Sequence, residues 1–150
     1  MLKQGLLEGV TIAYAGEDAA LAEAAALGAR TVALGEPDDE MTVDPVPDVL
    51  VCATDDLDAA FISTRAVANA WIAGERPGKV VLVAPRNDAP LRAALENLSR
   101  TLSIEWARYG ITPTAILPGA GSSDAEVAQL VAFLASPAGD YYSGCTFTLR

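Results

Sequence analysis

Polar side chains that could do chemistry stand directly after the apolar runs of this sequence. Because open α/β sheets bind ligands beyond the carboxyl ends of their strands, these side chains are predicted to border a cleft. A carboxylate there could serve as a base for isomerisation or hydrolysis, and the same groups could instead bind a metabolite. The candidates for this cleft are Asp55, Asp56, Arg86, Asn87, Asp88, Arg92 and the glycine-rich loop 119–123.

The chain contains no histidine, which excludes several kinds of site. Ser-His-Asp and Cys-His nucleophile systems need an imidazole base, and many zinc sites need imidazole ligands. The acidic run 36–40 lacks the alternating ligands and the glycine of a calcium loop. We therefore expect no metal site, and any catalysis has to come from carboxylate, amine, guanidinium, phenol or hydroxyl groups.

Several of the polar residues also have a purely structural interpretation. Ser123 and Glu126 have the spacing of a capping box, which would occupy the N–H groups of the helix they begin. Asp88 and Arg92 stand four residues apart and could form an exposed ion pair. Asp18 is expected to N-cap the first helix.

Composition favours one folded domain over residues 1–150, without a role in binding nucleic acid or membranes. A chain of 150 residues buries about 68–70% of its unfolded surface, enough for one core. The net charge of −10 repels phosphate backbones and anionic lipid. No apolar run reaches the ~20 residues of a membrane span and no signal peptide is recognisable, which predicts a cytoplasmic protein. Cys52 and Cys145 are both expected to be buried thiols.

Apolar, strand-like runs alternate with alanine-rich helical runs along the chain. The runs at 49–52, 80–83 and 114–117 are apolar without alternation, which is typical of strands buried on both faces of a parallel sheet. The pattern predicts an α/β fold with a doubly wound, mostly parallel, Rossmann-like sheet. Other strands are predicted at 10–15 and 31–34, helices at 19–27, 56–73 and 89–109, and a loop at 35–47 in which 41–43 could form an edge strand.

The predicted helices 56–73 and 89–109 carry more apolar positions than one side of a sheet can cover. A helix on a sheet needs a single apolar stripe, so a second stripe favours a second partner such as another subunit. Alanine is also simply a good helix former, which is the alternative explanation. The candidate interface residues are Phe61, Ile62, Ala66, Trp71, Leu95, Leu98, Leu102 and Trp106.

Consecutive segments of the C-terminal half match one enzyme family in order and in spacing. Residues 92–107 resemble the long active-site helix of the short-chain dehydrogenase/reductase family, 111–119 the strand and Pro-Gly turn that follow it, and 126–136 its last helix. Segments 6–10 and 47–51 match more loosely. The resemblance implies a Rossmann fold, NAD(P)-dependent oxidoreduction, and subunit contacts through the helices that match 56–73 and 89–109.

The residues that the family uses for chemistry are replaced here. Its motif places a tyrosine, the general acid/base, four residues before a lysine that lowers the pKa of the tyrosine and holds the ribose. Asp88 falls at the tyrosine position and Arg92 at the lysine position. The serine position falls on Ala84 or Pro85, and the asparagine position on Asp56. An arginine stays charged and cannot relay a proton, so the resemblance carries no catalytic residue over.

The family's cofactor site is changed as well. Family members bind the pyrophosphate with a glycine-rich turn after the first strand and with the N-terminus of the next helix. The corresponding turn, 15–19, is shorter and keeps one glycine, while Glu17 and Asp18 would repel a diphosphate. The third strand and the adenine pocket are reduced to the loop 36–47. No cofactor is therefore expected.

Three hypotheses about function follow. The first is a non-catalytic subunit, a pseudo-enzyme, that assembles with itself or with a full-length short-chain dehydrogenase through the two apolar helices. The second is a small enzyme or metabolite-binding module with a reassigned cleft at the strand ends. The third is residual NAD(P)-dependent oxidoreduction.

Overall fold

Six parallel strands form one open sheet in the order β2-β1-β3-β4-β5-β6. The structure is a computed structural model that describes residues 1–150. Every neighbouring pair of strands is parallel, which confirms the doubly wound, Rossmann-like fold predicted from the apolar runs. The strands are β1 (Thr11–Gly16), β2 (Arg30–Ala33), β3 (Val49–Ala53), β4 (Gly78–Val83), β5 (Ile111–Leu117) and β6 (Thr146–Thr148).

Four α-helices cover the two faces of this sheet. They are α1 (Ala22–Ala26), α2 (Leu57–Ala73), α3 (Ala89–Glu105) and α4 (Asp124–Ala135). Short 3-10 turns precede α1 at Ala19–Leu21, follow α3 at Ala107–Tyr109 and follow α4 at Pro137–Tyr141. None of the helices combines the length and the hydrophobicity that a membrane span requires.

The core has two layers, one on each side of the sheet. Val49 and Val51 of β3 face a layer completed by α1 and α4, whereas Leu50 and Cys52 face a layer completed by α2 and α3. Because successive side chains of a strand point to opposite faces, burial of both faces requires the uninterrupted apolar run seen in the sequence.

Trp71 of α2 fixes the lead-in to β3. Its side chain is fully buried, and its Nε1 donates a hydrogen bond to the carbonyl oxygen of Pro47 at 2.6 Å. Gly78 lies against the indole ring, where a Cβ would overlap the ring atoms. Trp71 therefore connects α2 to the strands beneath it.

The connection from β2 to β3 differs from one detail of the prediction. Residues 41–43 form no strand, and the whole segment 35–47 is irregular. Val43 and Val46 nevertheless pack against the core layer of α2 and α3. Arg65 of α2 makes an ion pair with Asp39. The segment is therefore held beside α2 although it pairs with no strand of the sheet.

Two further predictions need correction. Helix α3 ends at Glu105 rather than continuing to Tyr109, because a separate 3-10 turn leads into Gly110 with a φ of +72°. Cys145 is exposed and lies before β6, so only Cys52 is a buried thiol.

Candidate functional site

A cleft of about 440 Å³ opens at the carboxyl ends of the strands. It includes the ends of β1 and β3, where the chain leaves toward opposite sides of the sheet, and open α/β sheets bind ligands at such a switch point. The residues that follow β1, β3, β4 and β5 form its walls together with the first turn of α4. The charged side chains that border it are Glu17, Asp55, Arg86 and Asp124.

The predicted cleft residues are only partly brought together. Asp55 and Arg86 line the cleft. The following predicted members do not line the cleft: Asp56, Asn87, Asp88, Arg92 and the loop 119–123.

Asp124 and Val127, which line the cleft, were not predicted. They approach it because α4 packs beside α1. This contact between distant segments leaves no local pattern in the sequence.

The turn after β1 is closed by a contact with β3. Gly16 has a φ of +85°, and a Cβ there would overlap the carbonyl group of Ala53. The N–H of Glu17 donates to that same carbonyl oxygen at 3.0 Å. Asp18 makes no side-chain capping bond, which corrects its predicted role as an N-cap. The turn thus binds its neighbouring strand and leaves Glu17 beside the cleft.

Arg86 is the one basic side chain that lines the cleft, and its guanidinium is already paired. It makes an ion pair with Asp124 at 3.1 Å and donates to the carbonyl oxygen of Ser122 at 2.9 Å. Glu17 and Asp55 take part in none of the ion pairs. The uncompensated charge at the cleft is therefore negative.

The N-terminus of α4 carries the predicted capping box. Ser123 Oγ accepts from the N–H of Glu126, and the Glu126 carboxylate accepts from the N–H of Ser123. These hydrogen bonds from Ser123 lower the pKa of Glu126 below its usual range. The loop before α4 also closes on itself, because the N–H and the hydroxyl of Ser122 both bind the Gly119 carbonyl oxygen.

The aspartates at two positions that match the family's catalytic residues cap helices. Asp56 accepts from the N–H groups of Asp58 and Ala59 at 2.8 Å and 3.2 Å, at the start of α2. Asp88 accepts from the N–H of Leu91 at 2.9 Å, at the start of α3. The start of α2 is acidic, because Asp58 follows the capping Asp56 in the first turn.

Arg92, at the position of the family's lysine, binds two turns of the backbone. Its guanidinium donates to the carbonyl oxygen of Pro85 at 2.9 Å and to that of Pro118 at 2.5 Å. The predicted ion pair between Asp88 and Arg92 is wrong, because each side chain has backbone partners instead. Arg92 thereby holds together the turns that follow β4 and β5.

These residues do not fit the dinucleotide that the resembled family binds. A diphosphate at the turn after β1 would face Glu17 and Asp55 without a free guanidinium nearby. The capping box occupies the N-terminus of α4, and α1 is only 5 residues long. No group of three or more Asp, Glu or Cys side chains comes together as metal ligands.

The candidate interface residues separate into two groups. Trp71, Leu95 and Leu102 are buried in this chain's own core, so their assignment to an interface was wrong. Trp71 and Leu95 pack in the core layer between the sheet and these helices. The remaining candidates are exposed or half-buried, and they are Phe61, Ile62, Ala66, Leu98 and Trp106.

No protein-family model and no curated protein matches the sequence, whereas solved structures match the fold over nearly the whole chain. A short-chain type dehydrogenase/reductase from Mycobacterium marinum is 17% identical with a TM-score of 0.80, covering 95% of this chain and 94% of that one. A short chain dehydrogenase from Leptospira borgpetersenii with bound NAD+ is 16% identical with a TM-score of 0.79, at 100% and 95% coverage. The citronellol catabolism dehydrogenase of Pseudomonas aeruginosa PAO1 is 19% identical with a TM-score of 0.77, at 99% and 96% coverage. The fold implied by the resemblance is confirmed, and at these identities the likeness shows the fold alone.

Proposed function

We propose that this protein is a non-catalytic subunit that assembles with a second copy of itself through α2 and α3. The observation that carries the proposal is the use of Asp56, Asp88 and Arg92. These side chains match catalytic positions of the resembled family, and each binds the chain's own backbone. A side chain that caps a helix or ties two turns is held away from a substrate.

The surface proposed for assembly is the outer face of α2 and α3, on the side away from the sheet. None of the residues that we assign to it is buried or charged, and the ion pair of exposed Arg100 with Glu96 lies beside them on α3. Depletion of charge together with apolar side chains is typical of the core of a protein interface. We define this outer face as Ile62, Ala66, Asn69 and Ala73 of α2 with Ala93, Asn97, Thr101 and Ile104 of α3. Leu98 is left out because it packs against the core layer of α2 and α3.

Ile104 gives the outer face its largest exposed side chain. It is 78% exposed on a helix whose opposite side is buried against the sheet. Thr101 stands one turn before it on α3, and Ala66 and Ala93 elsewhere on the outer face are small residues that would let a facing helix approach closely. A second copy is the favoured partner because a two-fold axis brings one patch against itself, so a single uncharged face completes the contact.

The test is the oligomeric state measured by sedimentation velocity over a range of concentrations. We expect the wild-type chain to form a dimer and the variant Ala93→Glu with Ile104→Glu to be monomeric, because each substitution buries an unpaired charge at the contact. Ala125→Glu with Gln129→Glu is the charge-matched control, since both side chains are exposed on α4. A wild-type chain that stays monomeric, or a dimer that survives the double substitution, contradicts the proposal.

Residual oxidoreduction is tested separately by titration of NADH fluorescence. The proposed function predicts no saturable binding at millimolar NADH, because the cleft presents unpaired carboxylates to the diphosphate. Saturable binding together with NADH-dependent reduction of a ketone would replace the proposal with an enzymatic function. Assembly of the outer face with a co-expressed full-length short-chain dehydrogenase, in place of self-association, would overturn the choice of partner.

A further inference from the structure

The cleft at the strand ends keeps the position of a ligand site although its charge does not suit a dinucleotide. Val83, Pro118 and Val127 contribute apolar surface to it, and Glu17 and Asp55 stand at its rim. A cleft of about 440 Å³ lies within the range of roughly 300–1,000 Å³ that holds small organic ligands. The cleft therefore has the size of a binding site and an acidic edge.

The two rim carboxylates come from neighbouring strands and lie on the same side of the cleft. β1 pairs with β3 up to Gly16 and Ala53, and the N–H of Glu17 continues this pairing to Ala53. Glu17 follows β1 directly, Asp55 stands two residues beyond β3, and neither has a cationic partner. Two unpaired carboxylates over an apolar floor attract a ligand that has a cationic head and an apolar body.

The opposite wall reinforces this selectivity. Arg86 is the only cation that lines the cleft, and Asp124 and the Ser122 carbonyl oxygen already bind its guanidinium. The net charge of −10 adds a negative potential, which a cleft with low-dielectric walls concentrates. Phosphorylated ligands are repelled by this arrangement, and cations are enriched near it.

We propose that the cleft binds a small organic cation, a primary amine or an amidinium attached to an apolar group, in the place where the resembled fold binds a dinucleotide. Glu17 and Asp55 would hold the cationic head at the rim, and Val83, Pro118 and Val127 would contact the apolar part. This inference does not depend on self-association, because the outer face of α2 and α3 contributes no residue to the cleft.

The experiment compares three probes by ¹H–¹⁵N NMR titration of the wild-type chain. Benzylamine is the cationic probe, benzyl alcohol is its neutral analogue, and inorganic pyrophosphate is the anionic probe. We expect saturable shifts around the cleft with benzylamine, at least ~10-fold weaker binding of benzyl alcohol, and no binding of pyrophosphate. Failure of benzylamine to saturate in the millimolar range, or stronger binding of pyrophosphate, would overturn the proposal.

The carboxylates are tested with a double variant and a charge-matched control. Glu17→Gln with Asp55→Asn is expected to weaken benzylamine binding about 5- to 10-fold, since two partly exposed charge pairs are lost. Neither carboxylate makes a hydrogen bond in the fold, so the variant is expected to stay folded. Glu36→Gln with Glu40→Gln removes the same charge outside the cleft and should leave binding unchanged. Equal weakening in both variants would mean that net charge alone attracts the amine, and this result would overturn the site.

The two proposals can fail independently of each other. The variant Ala93→Glu with Ile104→Glu should bind benzylamine as the wild type does, because its changes are confined to the outer face. Loss of dimerisation with retained amine binding supports both proposals. Loss of amine binding in that variant would show that the cleft depends on assembly and would overturn their independence.

Discussion

At the scale of single residues, three polar side chains at positions that match the resembled family's catalytic residues bind the chain's own backbone. Asp56 and Asp88 cap helices, and Arg92 binds the turns that follow β4 and β5. Glycine has a comparable structural role at the turn after β1. Gly16 permits both the positive φ and the close approach of β3.

Substitution of Gly16 tests whether that turn is as tightly packed as its geometry indicates. Gly16→Ala places a Cβ inside the Ala53 carbonyl group and forces a left-handed conformation on alanine. We expect a loss of at least about 2–3 kcal/mol in the free energy of unfolding, measured by urea denaturation. Gly35→Ala is the control, because no atom lies within 4 Å of a Cβ there. An equal and small effect at both glycines would contradict the described turn.

The thiol of Cys52 gives a prediction about pH. Burial raises the pKa of the Cys52 thiol to about 12 from 9.0. In the unfolded chain the thiol loses its proton above pH 9, whereas in the folded chain it keeps it. The contribution of the buried thiol to the free energy of unfolding is therefore complete below pH 9. Between about pH 9 and pH 12 this contribution falls by about 1.4 kcal/mol per pH unit.

The measurement compares the alkaline loss of stability in the wild type and in Cys52→Ala. We expect the free energy of unfolding to fall less steeply above pH 9 in the variant. The other groups that titrate at alkaline pH are the same in both chains, so the difference reports the Cys52 thiol. A thiol reagent at pH 8 should modify only Cys145 in the folded protein and both cysteines in urea. Rapid modification of both thiols without urea would contradict the burial of Cys52.

At the scale of the elements, the sequence predicts what depends on local pattern and misses what depends on contacts between distant segments. The apolar runs of β3, β4 and β5 and the capping box at Ser123 were predicted because each is a pattern within a few residues. Helical spacing predicted two apolar stripes on α2 and α3, but it could not tell which stripe faces the sheet. Trp71 and Leu95 were assigned to an interface for that reason, although both face the core.

The residues of the cleft show the same difference between local sequence patterns and contacts of distant segments. Asp55 and Arg86 were predicted because they stand within three residues of a strand end, and a strand end is recognisable in the sequence. Asp124 reaches the cleft only because α4 packs against α1 on one side of the sheet. The partners of Arg92 were also unpredictable, since Pro85 and Pro118 are separated in the chain and meet only when β4 pairs with β5.

The anchoring of α2 can be measured at its tryptophan. Trp71→Phe keeps an aromatic ring in the core but removes the hydrogen bond from Nε1 to the Pro47 carbonyl oxygen. We expect a loss of about 1–3 kcal/mol in the free energy of unfolding, because a buried acceptor loses its partner as the ring shrinks. Trp106→Phe is the control, since Trp106 is half-buried and makes no side-chain hydrogen bond. A larger effect at Trp106 would contradict the proposed anchor.

At the scale of the whole molecule, the dominant property is a net charge of −10 on 150 residues. Two such chains repel each other at a distance, whereas the proposed contact itself carries no charge. The free energy of association is therefore a balance between apolar contact and long-range repulsion.

This balance predicts that the proposed dimer becomes tighter as the salt concentration rises. Screening shortens the range of repulsion from about 10 Å at 0.1 M to about 3 Å at 1 M salt, while apolar contact is hardly weakened. We expect the dissociation constant from sedimentation equilibrium to fall severalfold over this range. A dimer that dissociates as salt rises would instead depend on ion pairs, and the contact would then have to lie elsewhere on the surface.

The caps at Asp56 and Asp88 have a consequence for how the sequence can change over evolutionary time. Tyrosine at position 88, where the resembled family has it, would remove the side chain that begins α3, at a cost of about 1 kcal/mol. Lysine in place of Arg92 would weaken the link between the turns that follow β4 and β5. Each single substitution toward the resembled family's catalytic pattern therefore lowers stability without supplying activity. Under the proposed function, selection for a folded subunit is by itself enough to disfavour both substitutions.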